Sequence, residues 1–255
     1  MKVLLPKEFL TRPIAHRALH DASDGRPENS RAAVNAALKH GYGIEIDVQL
    51  TSDAQAAVFH DHALERLTGR EGLVRERSMP ELASIALKGS NETIPDLAEV
   101  LGMVAGRVPL LIEIKDPDGT FGPDVGSLEG TVARTLAGYG GPAAVMSFNP
   151  HCVATMQALA PGVPRGLVTC AFRETEWSMP RARRAELAGI PDYERVGASF
   201  ISHDVRDLEC ARVLELGQRG ASIICWTVRS AEEERWARAF AANVTFEGYL
   251  PDHAE

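Results

Sequence analysis

The stretch IEIDVQLTSDAQAAVFHD, residues 44–61, decides the fold predicted for this chain. It contains two runs of strand-forming residues, Ile44–Leu50 and Ala56–His60, and only the five residues TSDAQ separate them. Parallel neighbours in a sheet need a crossover of about a dozen residues or more. The second run is therefore predicted to return antiparallel to the first, as the other arm of a hairpin.

Outside this hairpin the chain repeats one unit, a short apolar strand followed by a loop and an amphipathic helix. The further strands are predicted at Ile14–His16, Leu110–Lys115, Ala143–Ser147, Arg165–Thr169, Ser199–Ser202, Ser222–Val228 and Val244–Glu247. Helices are predicted at Ser30–His40, Asp96–Gly106, Ser127–Tyr139, Pro150–Leu159, Asp207–Arg219 and Ser230–Ala241. Strands that alternate with helices indicate a parallel sheet.

Without the second hairpin arm, eight strands remain in this count. Eight such units predict an α/β fold of the (β/α)8 TIM barrel type, with an insertion after strand 2. The alternative is an open doubly wound sheet. Its usual phosphate-binding signature, GxGxxG after a first strand, is absent from the sequence.

Residues 1–255 are predicted to form a single domain, and the insertion covers about 62–95. The segment Asp61–Pro95 shows neither a helical nor a strand period. A long excursion after a barrel strand lies on the C-terminal face, where barrel enzymes keep their active sites. We therefore expect the insertion to act as a lid or to select the substrate.

The overall composition narrows the classes of function. A net charge of −8 offers no basic surface to hold a nucleic acid. None of the four cysteines lies in a CxxC pair, so free reduced thiols are expected rather than disulfides or a zinc site. No apolar run approaches the ~20 residues of a membrane span, and the N-terminus lacks a signal sequence. A cytoplasmic protein without stable membrane association is predicted.

Acidic side chains stand at the C-terminal ends of two predicted strands. Glu45 and Asp47 are two residues apart and so share one face of their strand, and Glu113 stands near the end of Leu110–Lys115. Three carboxylates at one rim repel one another unless a cation lies between them. Their oxygen atoms suit Mg²⁺ or Ca²⁺ rather than zinc. One divalent cation is therefore predicted at Glu45, Asp47 and Glu113.

Two histidines and two cationic side chains are predicted to reach the same rim. His16 and Arg17 end the first strand, His60 ends the hairpin, and Lys115 shares a face with Glu113. Imidazole titrates near neutral pH, so His16 and His60 are the natural acid and base. Arg17 and Lys115 offer positive charge to an anion. Each of these residues alone is more often structural, but their joint placement predicts a phosphate ester site.

A resemblance to a known family rests on short segments of the chain. The segments, in order, are HR (16–17), PEN (27–29), EIDV (45–48), T.D (51–53), HD (60–61), LTG (67–69), EIK (113–115) and WTV (226–228). Together they resemble the glycerophosphodiester phosphodiesterases. The resemblance implies hydrolysis of glycerol-3-phospho-alcohols to glycerol 3-phosphate and an alcohol, on a barrel with an insertion after strand 2.

The resemblance also implies a role for each candidate residue. The implied roles are metal ligand for Glu45, Asp47 and Glu113, acid–base pair for His16 and His60, and phosphate binding for Arg17 and Lys115. Two further residues are candidates for contact with the site. Glu28 can orient Arg17 or a metal ligand, and Trp226 can stack on the substrate at the barrel mouth.

The loop ALHDASDGRPEN (18–29) is longer than the shortest versions in the family, and two further departures concern single residues. Ala18 follows HR where the family usually has glycine, and Glu247 is the only acid in NVTFEGYLP, where the family often has an acidic turn. Two alternatives remain open: a phospholipase- or lyase-type enzyme acting on a larger phospholipid head group, and an idle barrel that binds phosphate esters. The sequence also leaves open the alcohol, the metal, the nucleophile, the acid and base assignments of the histidines and the oligomeric state.

Overall fold

In the computed structural model, which describes residues 3–253, eight parallel strands close into a barrel and a ninth pairs antiparallel with one of them. The strands are β1 (Ile14–Ala15), β2 (Gly43–Leu50), β3 (Ala56–Val58), β4 (Leu110–Ile114), β5 (Ala143–Ser147), β6 (Arg165–Thr169), β7 (Phe200–Asp204), β8 (Ser222–Val228) and β9 (Asn243–Phe246). Their order is β1-β9-β8-β7-β6-β5-β4-β2, and β1 closes the barrel by pairing in parallel with β2. The predicted (β/α)8 barrel is confirmed, and the alternative prediction of an open doubly wound sheet is wrong.

Helices lie between most successive strands. Within residues 3–253 they are α1 (Glu8–Thr11), α2 (Arg31–His40), α3 (Glu65–Thr68), α4 (Met79–Leu82), α5 (Leu97–Val104), α6 (Ser127–Leu136), α7 (Pro150–Leu159), α8 (Arg181–Ala188), α9 (Ala211–Gln218) and α10 (Ala231–Ala237). The helix predicted from Asp207 begins only at Ala211, because residues 205–207 form a separate 3-10 turn. Each helix of this part of the chain is too short or too polar to cross a membrane. Of the predicted domain 1–255, residues 1, 2, 254 and 255 lie outside the described residues.

The hairpin predicted from residues 44–61 is confirmed. β3 runs antiparallel to β2, with Val58 opposite Val48 and Ala56 opposite Leu50. On the β2 side, β1 is paired with Gly43 and Ile44 at the beginning of that strand. The edge of β2 nearer its C-terminal end is therefore left for β3. The hairpin therefore ends at the C-terminal rim of the barrel.

Residues of β2 alternate between the helical layer and the barrel interior. Ile44 and Ile46 belong to the hydrophobic core shared with the helices, whereas Glu45 and Asp47 face the opposite way. A second apolar cluster fills the barrel interior around the fully buried Phe200, which contributes about 1.5–3 kcal/mol by burial. An added Cβ at Gly166 would overlap the ring of Phe200 on the neighbouring strand, so this position requires glycine. This apolar packing leaves the polar residues at the C-terminal end of the barrel.

The insertion is held by a hydrophobic cluster of its own. The cluster consists of Ala57, Phe59, Leu64, Val74, Met79, Leu82, Leu87 and Ile94. Its helices α3 and α4 have only four residues each. Such short helices cannot produce a sustained period, which explains why the sequence showed none there. Two residues of the hairpin, Ala57 and Phe59, anchor the insertion to the barrel.

Candidate active site

Three buried carboxylates meet at the C-terminal ends of two neighbouring strands. Glu45 and Asp47 come from β2 and Glu113 from β4, and Asp47 is paired in register with Glu113. All three are at most 7% exposed. One oxygen atom from each lies within 4.8 Å of the others, which is close enough for all three to hold one metal ion. The structure thus brings together the three acids that the sequence selected.

The charges around these acids are balanced only in part. Lys115 Nζ lies 2.6 Å from Asp47 Oδ1 and also contacts Glu113. Burial opposes ionisation of Asp47, but Lys115, His60 and Arg17 outweigh it and hold the pKa of Asp47 well below its usual range. Burial and the two neighbouring carboxylates raise the pKa of Glu45 well above its usual value. The ionised form of Glu45 is therefore disfavoured, because Lys115 does not offset burial and the two neighbouring carboxylates.

Backbone and amide groups fix the orientation of the β2 acids. Arg17 N donates a hydrogen bond of 2.7 Å to Glu45 Oε2, and Asn29 Nδ2 donates one of 2.9 Å to Asp47 Oδ2. Ser30, rather than Asn29, caps helix α2 by accepting from a backbone N–H of its first turn. Asn29 is consequently free to serve the acid cluster.

The donor set fits a hard divalent cation. All three side chains offer carboxylate oxygens, which Mg²⁺ and Ca²⁺ prefer, and no thiol or imidazole belongs to this group. The raised pKa of Glu45 shows that the ionised form lacks a sufficient positive neighbour. A bound cation would supply that charge.

Replacing Glu45 by glutamine is expected to stabilise the protein in EDTA. A carboxyl whose pKa is raised by folding destabilises the folded state above its unfolded pKa near 4.5, and the neutral amide removes that effect. The midpoint of thermal unfolding should rise by about 2–4 °C for each kcal/mol regained. The gain over the native protein should grow from pH 4.5 upward and vanish below it. A gain that does not depend on pH would contradict this explanation.

Each of the two histidines has one ring nitrogen engaged by a carboxylate. His16 Nδ1 lies 2.8 Å from Glu247 Oε2, and His60 Nδ1 lies 2.6 Å from Asp61 Oδ1. A carboxylate accepts, so both rings carry the proton on Nδ1 and leave Nε2 for proton exchange. Burial lowers the pKa of His16, and the hydrogen bond to Glu247 opposes that shift. Both imidazoles thus have Nδ1 committed to a carboxylate, and Nε2 is the nitrogen that remains for another partner.

These side chains line one cavity of about 170 Å³ at the barrel mouth. The seven residues that the sequence indicated as metal ligands, acid–base pair or phosphate-binding residues all belong to its wall, namely His16, Arg17, Glu45, Asp47, His60, Glu113 and Lys115. Trp226 and Phe148 form an apolar side of the wall and pack edge to face, with ring centroids 5.6 Å apart. Glu28 is not part of the lining, but its Oε1 accepts from Arg17 Nη1 at 2.8 Å. The cavity combines acids, histidines, cations and one apolar side.

Comparison with known proteins assigns the chain to a family. The model of the glycerophosphoryl diester phosphodiesterase family matches residues 16–245. The chain belongs to this family. The glycerophosphodiester phosphodiesterase of Caldanaerobacter subterraneus is 31% identical over 241 residues, which cover 90% of each protein. The family consists of phosphoric diester hydrolases, in agreement with the resemblance seen in the sequence.

Solved structures of other phosphodiesterases share the fold. An Oleispira antarctica phosphodiesterase in complex with the product sn-glycerol-3-phosphate gives a TM-score of 0.76 at 23% identity, with 94% of this chain and 93% of the other covered. The glycerophosphodiester phosphodiesterase of Thermotoga maritima gives 0.69 at 20% identity, with 91% and 92% covered. Both are barrels like this one.

The two single-residue departures from the glycerophosphodiester phosphodiesterase pattern have different structural meanings. Ala18 has a φ of 63°, a left-handed conformation that costs an alanine about 1–2 kcal/mol relative to glycine. Its N–H still donates to Glu45 O at 2.9 Å, so the turn is kept. Glu247 stands directly after β9 and holds His16. The contacts of Glu247 and Asp61 with the two histidines were not predicted from the sequence.

A larger cavity of about 410 Å³ lies beside the first and shares Lys115 with it. The insertion contributes His62, Leu73 and Arg75 to its wall. The connection from β4 to α6 contributes the opposite side, including Pro117 and Asp118, and Arg75 Nη1 reaches Pro117 O at 3.5 Å. The insertion of this family member thus borders a space next to the acids and histidines.

Proposed function

We propose that this protein hydrolyses glycerophosphodiesters to glycerol 3-phosphate and an alcohol, with one divalent cation and two histidines. The observation that carries the proposal is that three buried carboxylates and two anchored histidines line the same small cavity. Membership of the glycerophosphoryl diester phosphodiesterase family supports the substrate class. The product bound to the Oleispira antarctica phosphodiesterase also supports it.

In this proposal Glu45, Asp47 and Glu113 hold Mg²⁺ or Ca²⁺. A cation held there would supply Lewis-acid chemistry, polarising a phosphoryl oxygen and offsetting the charge that develops on it. Arg17 and Lys115 add positive charge to the wall of the same cavity. Because Lys115 already contacts two of the acids, its ammonium group fixes the shape of the cluster as well as attracting the phosphate.

The histidines divide the two proton transfers between them. Nε2 of one ring takes the proton from the attacking hydroxyl, which is either water or the substrate's own glycerol hydroxyl. Nε2 of the other ring gives a proton to the oxygen of the leaving alcohol. Asp61 and Glu247 each contact Nδ1 of one ring, which holds the two rings in place.

The remaining predicted residues bind or orient the substrate. Trp226 donates from Nε1 to Ser202 O at 3.0 Å, which fixes its ring in the cavity wall, where it can pack on the glycerol carbons. Glu28 holds Arg17 for the phosphate. We also propose that residues 62–95 act as a substrate-selecting insertion on a single domain, because they wall the larger cavity where the alcohol can extend.

Replacing Glu247 by glutamine should reveal which proton transfer His16 performs. The carboxylate raises the pKa of His16 against the effect of burial, so its loss lowers that pKa further. The limb of the pH profile of kcat/KM that belongs to His16 should move to lower pH. Movement of the acidic limb identifies His16 as the base, and movement of the alkaline limb identifies it as the acid. An unchanged profile would contradict a role for His16 in proton transfer.

The function itself is tested by following product formation by phosphorus NMR. The substrates are glycerophosphodiesters of ethanolamine, choline, glycerol and inositol, with added Mg²⁺ or Ca²⁺. Glycerol 3-phosphate as the final product supports the proposal. A cyclic phosphate that accumulates indicates the lyase-type alternative, and binding without turnover indicates the idle barrel.

A further inference from the structure

Arg66 connects two parts of the site without lining the cavity. It lies on α3, the first helix of the insertion, and its side chain is 47% exposed. Its guanidinium group forms paired hydrogen bonds with Asp61, from Nε to Oδ2 at 2.6 Å and from Nη2 to Oδ1 at 2.9 Å. It forms a second pair with Glu28, from Nη1 to Oε2 at 2.9 Å and from Nη2 to Oε1 at 2.7 Å.

Both carboxylates also accept hydrogen bonds from residues of the proposed site. Asp61 Oδ1 accepts from His60 Nδ1 at 2.6 Å, and Glu28 Oε1 accepts from Arg17 Nη1 at 2.8 Å. These are the same two oxygen atoms that Arg66 Nη2 contacts. A single nitrogen atom therefore fixes the carboxylate oxygen that holds the histidine and the one that holds the phosphate-binding arginine.

The charges show why an arginine suits this place. The carboxylates of Asp61 and Glu28 lie on either side of one guanidinium and would repel each other without it. A planar group with five donors can serve two carboxylates in fixed geometry, which the single ammonium of lysine cannot do. The contacts are bidentate and form a network, so they hold geometry better than an isolated surface ion pair.

We propose that Arg66 is a positioning residue that orients His60 through Asp61 and Arg17 through Glu28. The inference rests on the proposed function for its consequence in catalysis. It also gives the insertion a second role, because the segment that borders the larger cavity then sets the geometry of the smaller one. Loss of Arg66 lets Asp61 and Glu28 turn toward solvent and releases both site residues.

The test compares Arg66→Met with Arg70→Met, a matched change at an exposed arginine of the same insertion. Arg66→Met should lower kcat by about 10- to 100-fold, by analogy with the range found when hydrogen-bond partners that orient metal ligands are lost. Arg70→Met should leave kcat unchanged. Arg66→Lys should also lower kcat, but by less than Arg66→Met does. Arg66→Met should lower kcat less when Asp61 is already asparagine than it does in the native protein. Both substitutions disrupt the same connection from Arg66 through Asp61 to His60.

A proton NMR signal of His60 Nδ1–H, identified by its loss in His60→Ala, reports the orientation without any substrate. It should broaden or disappear in Arg66→Met and persist in Arg70→Met. Equal kcat values and an unchanged signal in these two variants would overturn the inference. If the native protein releases no glycerol 3-phosphate, the proposed function fails and the NMR comparison alone decides whether Arg66 orients His60. If Arg66→Met does not fold, Arg66→Lys and Asp61→Asn carry the same comparison.

Discussion

Replacement of either His16 or His60 by alanine is expected to lower kcat by about 10²–10⁴-fold, the usual contribution of one general acid or base. Both rings line the cavity, and both have Nδ1 committed to a carboxylate. Removing one ring leaves either the attacking hydroxyl without a proton acceptor or the alcohol without a donor. Release of glycerol 3-phosphate at substrate saturation measures the effect.

The histidine variants need a control for general damage. His40 ends helix α2, and helices of a barrel end at the face opposite the strand ends that carry the site. His40→Ala should therefore keep native kcat. The two proton transfers belong to one reaction, so the double variant His16→Ala/His60→Ala should lose much less than the product of the single losses. Near-native kcat in either single variant would exclude that histidine as acid or base.

Removal of divalent cations is expected to lower kcat/KM by about 10²–10⁴-fold, because a metal at a phosphoryl oxygen contributes several kcal/mol. Adding back Mg²⁺ or Ca²⁺ to the EDTA-treated protein should restore activity, and the ion that restores it at the lower concentration is the one that the site prefers in the assay. Glu113→Gln should weaken this restoration, since one of the three charged ligands becomes neutral. Activity before and after addition of each ion is the measurement.

Lys115 makes this experiment decisive. Its ammonium group already contacts Asp47 and Glu113, so the alternative is that lysine alone neutralises the acids. Activity that survives EDTA would support that alternative and contradict the metal. Glu174→Gln removes a carboxylate that is 83% exposed and lies between β6 and α8, so it should not change the metal requirement.

Most of the fold was predictable because its signals are local. The five-residue link between the hairpin arms allows only an antiparallel return, whatever the rest of the chain does. The insertion gave no signal because its helices α3 and α4 are one turn long and are stabilised by the cluster around Phe59, not by a period of their own. The predicted start of α9 was also wrong. The helix was expected from Asp207, but residues 205–207 form a separate 3-10 turn and α9 begins at Ala211.

The sequence by itself determined which side chains share a face of a strand. Successive residues of a strand point to opposite sides, so Glu45 and Asp47 had to share a face, and this holds without knowledge of any neighbour. The tertiary structure alone decided the contacts between residues that are far apart in the chain. Glu247 meets His16 across 231 residues because β9 pairs with β1 in the closed barrel. Arg66 meets Glu28 across 38 residues because the insertion folds back over the rim. Strand alternation is a property of the local backbone, whereas these contacts exist only once the barrel has closed and the insertion has packed.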